Sequence, residues 1–134
     1  VYFGEKDFQQ LKIIEKFIQE KYEFLEIVSV PTKRNEEGIA YSSRNEKLSK
    51  KQIQDFVSFH QKVENFLKTL EKSFDIDTAN QKAKDFIDEQ DSEQLDYFEF
   101  RNNDDLSFNG KVSESRLFYA IYKGKIRLID NLKI

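Results

Sequence analysis

VYFGEKDFQQLKIIEKFIQEKYEFLEIVSV, residues 1–30, decides how the rest of the chain is read. An apolar triplet, Val1, Tyr2 and Phe3, runs into Gly4 and a charged turn. Phe8, Leu11, Ile14, Phe17, Ile18 and Tyr22 then recur at the three- and four-residue spacing that lines one face of a helix. Asp7 stands where a helix cap belongs, with Gln10 three residues on as the second half of a capping box. The run LEIVSV at 25–30 is nearly continuous in apolar residues, the pattern of a strand buried on both faces, and Pro31 ends it. Strand, helix, strand is the unit that builds a parallel sheet, and two parallel strands are not a stable object by themselves.

After Pro31 a polar loop, TKRNEEG, leads into IAYSSRNEKLS. Ser49 and Gln52 signal a second helix, whose stripe is Ile53, Phe56, Val57, His60, Val63, Phe66, Leu67, Leu70 and Phe74. A shorter helix is expected over 78–90, with Ala79, Ala83, Phe86 and Ile87 facing inward. Three strands are expected at 95–101, 116–122 and 126–134, the last two joined by a tight turn at Gly124 into an antiparallel hairpin. The pattern changes near Asn45, from a βαβ remnant to a small α+β unit.

Composition narrows the function. The 134 residues carry 22 basic and 25 acidic side chains, a net charge of −3, without the basic excess of a phosphate-backbone binder, so no nucleic-acid partner is expected. Thirteen Phe against four Gly and one Pro indicate an ordered, helix-rich globule. With no Cys there is neither a disulfide framework nor thiol chemistry. No apolar run approaches the roughly 20 residues that span a bilayer, so a soluble, cytoplasmic protein with no membrane partner is expected. No Ser-His-Asp, Cys-His or metal-ligand cluster can be assembled, and no metal site is expected within the chain.

Two motifs offer chemistry. FGEKDFQQ places Gly4 and Lys6 between a strand end and a helix start, where backbone N–H groups and the helix dipole favour an anion; taken alone, the stretch is more simply an ordinary βα loop with a capped helix. SSRN (Ser42, Ser43, Arg44, Asn45) gathers two hydroxyls, a guanidinium and an amide, groups that surround phosphate oxygens, or that simply make a polar loop before a capped helix. His60, the single His, sits on an apolar stripe and reads as a core histidine with a satisfied ring. The acidic run DEQDSEQ reads as a solvated helix end.

Taken in order, FGEKDFQQL, EIVSVPTKR, GIAYSSRN and RLIDN resemble the C-terminal half of the pantothenate synthetases. The resemblance implies the end of a Rossmann-like ATP-binding domain over 1–45, followed by a C-terminal lid domain over 46–134 with helices on a three-stranded antiparallel sheet. It implies an AMP-forming ligase that joins pantoate and β-alanine through pantoyl adenylate, with ATP and Mg²⁺, the metal held mainly by the phosphates and the N-terminal half. Carried over by position, Gly4, Glu5, Lys6, Asp7, Lys33, Tyr41, Ser42, Ser43 and Arg44 would meet ATP, with Lys6 and Arg44 stabilising phosphate charge, and Gln10 would bind pantoate. Tyr41 and Lys33 stand where the family commonly has aliphatic residues. The family's His-x-Gly-His loop has no counterpart here, so the chain alone is expected to be inactive and the complete enzyme to be a homodimer. The reading from another class is a non-catalytic interaction module that kept the fold; it gives Lys6, Gln10 and Arg44 no chemical purpose.

Overall fold

The computed structural model describes residues 1–22, 24–90 and 94–134. The elements are β1 (Tyr2–Gly4), α1 (Phe8–Lys21), β2 (Val28–Val30), α2 (Lys50–Lys68), α3 (Ile76–Asp88), β3 (Gln94–Asn102), β4 (Ser115–Lys123) and β5 (Ile126–Lys133). β1 and β2 pair in parallel, Tyr2 opposite Val28 and Gly4 opposite Val30. β3, β4 and β5 form a separate antiparallel sheet in that order, with β4 central. Strand–helix–strand followed by helices on an antiparallel three-stranded sheet is the architecture the sequence implies. Among the described residues no helix is long and apolar enough to cross a membrane.

β4 is buried along almost its whole length because both of its faces are covered. Side chains alternate across a strand. Leu117, Tyr119 and Ile121 enter the larger core with Phe59, Val63, Ile76, Ala79, Ala83 and Phe100, supplied by α2, α3 and β3. Phe118 points the other way, into a smaller cluster with Phe8 and Leu11 of α1, flanked by Phe3, Ile27, Tyr97 and Leu106. Leu106 reaches that cluster from the β3–β4 connection with φ 60°, a left-handed backbone that L-residues normally avoid.

Four local expectations need correcting. α2 stops at Lys68 instead of running to Phe74: the Thr69 hydroxyl donates to the Phe66 carbonyl at 2.7 Å as the chain turns away. Leu70 and Phe74 still join the core, from the connection rather than the helix. α3 begins at Ile76 rather than Thr78, its first residue fully buried and its backbone tied to Gly110 at 3.0 Å. The strand at 25–30 shrinks to β2, with Val28 and Val30 exposed rather than covered on both faces; among the described residues it pairs with β1 alone. Asp7 does occupy the N-cap position of α1 but makes no side-chain cap bond; the turn Glu5–Asp7 is already 3₁₀-helical, so α1 continues out of it without the extended cap geometry. The box at Ser49 and Gln52 forms as expected, each side chain bonding the other's backbone N–H at 3.2 and 2.9 Å. Residues 91–93 of the acidic run lie outside the described residues.

Candidate functional site

Both motifs hang from β5. The 3₁₀ turn Glu5–Asp7 rests on the α1-facing side of the sheet. There the Asn131 carboxamide donates to the carbonyls of Glu5 (2.9 Å) and Lys6 (2.8 Å). Arg116 completes the seat: it bonds the Glu5 carboxylate at 3.2 Å, lies 4.0 Å from the Phe8 ring centre and donates to the Asn131 side-chain oxygen. Burial lowers the Arg116 pKa, and Glu5 opposes that shift. Glu5 therefore uses its carboxylate inside the protein. Lys6, half-buried, has no acidic partner among the described residues; Gly4, Asp7 and Gln10 are exposed beside it.

The second motif is mounted through residues 33–45. The backbone of Arg34 pairs with Ala40, and the turn between them is closed by Asn35, whose side-chain oxygen accepts from Glu37 and Ile39. Gly38 takes φ +82° there, with its Cα edge against His60. Arg34 then crosses to β5 and grips Asp130 with both terminal nitrogens, at 2.7 and 2.9 Å, and the Asn131 carbonyl at 2.9 Å. Burial works against this guanidinium's charge, but the bonds and attraction to Asp130 outweigh it and raise the pKa. Downstream, the Asn45 amide bonds the Ala40 carbonyl at 2.9 Å, and the Arg44 guanidinium donates to the Arg127 carbonyl at 3.5 Å. Ser43 and Arg44 are exposed, Ser42 partly so. Lys33 lies 5.6 Å over the Tyr41 ring, within cation–π range. A cleft of about 350 Å³ opens beside this turn, lined by Ile39, Tyr41, Leu48, Ile53, Phe56 and Val57 among others.

Asp130 and Asn131 are adjacent and so project to opposite faces of β5. On the helix-covered face, the Tyr119 hydroxyl donates to Asp130 (3.4 Å) and is hydrogen-bonded to His60 Nδ1 (3.0 Å). Burial lowers the His60 pKa and pushes Tyr119 well above the ordinary phenol value. The ring is fully buried, as expected of a core histidine, but only half satisfied: Nε2 has no hydrogen-bond partner among the described residues. Arg34, Arg116, Asp130 and Asn131 were not singled out as site residues from the sequence. A signal was present in RLIDN, because Asp and Asn are disfavoured in strand interiors and need a reason to be there.

Against this geometry the comparisons are specific. The sequence model described as pantoate-beta-alanine ligase matches residues 1–133. The chain belongs to that family. A pantothenate synthetase of Bacteroides thetaiotaomicron is 35% identical over 138 residues, covering 98% of this chain and 48% of its own length. One from Aquifex aeolicus is 36% identical over 140 residues, covering 99% of this chain and 48% of its own length. A crystal structure of the Thermus thermophilus pantothenate synthetase superposes with a TM-score of 0.81 at 28% identity, covering 98% of this chain and 48% of that one. The Francisella tularensis pantoate-beta-alanine ligase, solved in complex with beta-gamma ATP and beta-alanine, gives 0.66 at 26% identity, covering 98% and 42%. The chain thus spans about half the length of the pantoate-beta-alanine ligases it matches, and corresponds to their C-terminal part.

Proposed function

We propose that this chain supplies one wall of a pantothenate synthetase active site, in a ligase that joins pantoate to β-alanine at the expense of ATP. In the first step a pantoate carboxylate oxygen bonds the α-phosphorus of ATP and pyrophosphate leaves. In the second the β-alanine amine attacks the acyl carbon, and AMP leaves with the electron pair of the broken acyl–oxygen bond. Both steps gain most from positioning and from neutralising phosphate charge. The observation that carries this reading is that Lys6 and Arg44, two cations without acidic partners among the described residues, stand on two loops fastened to one strand.

On this reading Lys6, Ser42, Ser43 and Arg44 hold the phosphates. Gly4 and Asp7 meet the nucleoside, Lys33 and Tyr41 the adenine side, and Gln10 pantoate. Glu5 serves the site through its backbone and its ion pair with Arg116. Residues 1–45 close a nucleotide-binding domain and 46–134 form its lid. Mg²⁺ would be carried mainly by the triphosphate and by the N-terminal half of the enzyme. The complete enzyme is expected to be cytoplasmic and dimeric.

The test is to supply the full-length protein with ATP, Mg²⁺, pantoate and β-alanine and to measure AMP and pantothenate. Lys6→Ala and Arg44→Ala should each slow pyrophosphate release on the order of 100-fold, the effect of removing one preorganised donor. Wild-type rates in both variants would remove these residues from the site, and steady turnover by the 134-residue chain alone would overturn the one-wall reading.

A further inference from the structure

We infer that Asn131 is a positioning residue for Lys6, and that β5 thereby sets the first phosphate-binding loop relative to the second. The inference rests on the ligase reading above and deepens it. Its basis is how completely Asn131 is committed. Both hydrogens of one carboxamide nitrogen go to consecutive carbonyls of the 3₁₀ turn, Glu5 and Lys6, at 2.9 and 2.8 Å. The side-chain oxygen accepts from Arg116. The backbone N–H donates to Asp130 at 2.8 Å, and the backbone carbonyl accepts from Arg34 at 2.9 Å. The residue is 3% exposed.

One side chain that binds two consecutive carbonyls fixes both the height and the rotation of that turn. A general apolar contact would fix neither, because burial is non-directional. Phe8 and Leu11 hold α1 against the sheet by such contact. Arg116 holds the Glu5 side chain, whereas Asn131 holds the backbone from which the Lys6 ammonium extends. The carbonyl of the same Asn131 receives Arg34, whose other bonds stabilise the segment leading to Ser42 and Arg44. Both loops are therefore referenced to one residue.

The chemistry also specifies the amide. An ionised Asp has the same shape but no hydrogens to donate, and would face two carbonyl oxygens while keeping Arg116. Asn131→Asp thus separates loss of the two donors from loss of volume.

In the full-length protein, Asn131→Asp should lower kcat for pyrophosphate release roughly 10- to 100-fold, as misplacement of a reacting group by about 1 Å does, with KM for β-alanine unchanged. If Asn131 acts through Lys6, the Lys6→Ala/Asn131→Asp double variant should be no slower than Lys6→Ala alone. Wild-type kcat, or full additivity in the double variant, would overturn the proposal. Amide exchange supplies a readout that does not need turnover. Exchange at 5–8 should quicken about tenfold in Asn131→Asp while exchange in α2 at 59–63 stays put, since local opening is independent of global unfolding. Unchanged exchange at 5–8, or acceleration throughout, would overturn it. A wild-type protein that releases no pyrophosphate fails the ligase reading instead, and the exchange result then decides by itself whether Asn131 holds the turn.

Discussion

The two faces of β4 are held by different physics. On the helix-covered face, Leu117, Tyr119 and Ile121 lie among α2, α3 and the aromatic group of Phe59, Phe66, Phe98 and Phe100. Their interaction is chiefly apolar volume removed from water. On the face toward α1, the apolar cluster is small, and Arg116 and Asn131 do the aligning with directed bonds to Glu5 and Lys6. The difference teaches where to expect which consequence. Damage to the first face should appear as lost stability, and damage to the second as misplaced chemistry.

The sharpest way to break the comparison is Phe59→Ala. Phe59 is 1% exposed and meets Tyr119 and Phe98 edge-on at 5.7 and 6.5 Å. Its removal should destabilise by about 3–5 kcal/mol, lost transfer energy plus cavity, read as a lower denaturant midpoint. A loss below about 1 kcal/mol would mean that this face is not the main core.

Asp130→Asn comes next. It weakens a paired carboxylate held by both nitrogens of Arg34, and breaking a buried pair costs on the order of 3 kcal/mol. Chemical denaturation measures the cost, and exchange at 34–40 should rise with it. An unchanged midpoint would show that Arg34 contributes alignment only. Gly38→Ala should cost about 1–2 kcal/mol, the penalty for a side chain in left-handed backbone. A Cβ there would also stand 3.0 Å from His60 Nε2. A melt indistinguishable from wild type would show that the turn relaxes.

A pH titration sharpens the comparison on the helix-covered face. Folded His60 has a pKa below the ordinary 6.5, because burial outweighs the attraction of Asp130 and Glu64. The unfolded chain therefore takes up this proton first. The stability contributed by the neutral ring is complete above about pH 6.5 and is lost as pH falls toward the lower folded value. The denaturant midpoint should drop as pH falls below about 6.5, and His60→Gln should flatten that slope. A wild-type slope in the variant would assign the acid sensitivity elsewhere. The smallest effect is expected from Lys111→Gln, whose 2.8 Å pair with Asp75 is more than half exposed on both sides. Such surface pairs contribute within about 1 kcal/mol, and a larger shift in melting would show that the Asp75–Lys111 crossing braces the start of α3.

The sequence by itself determined the kinds of element and their order. A period near 3.6 marked α1, α2 and α3; strand-like runs and Gly124 marked the β4–β5 hairpin; Ser49 with Gln52 marked a helix start to the residue. These signals are local, because they depend on side chains a few positions apart on one element. Helix ends were less legible: Leu70 and Phe74 continue the apolar stripe of α2, yet the backbone has already turned at Thr69. Only the tertiary structure decided what meets Asp130 and Asn131 on the two faces of β5, Arg34 at the one side chain and Glu5 and Lys6 at the other. Periodicity tells which residues share a face but carries no information about what arrives on it. The bonds that seat both loops join residues 96 and 126 positions apart, and such partners are selected only when packing has brought buried donors and acceptors within reach of one another.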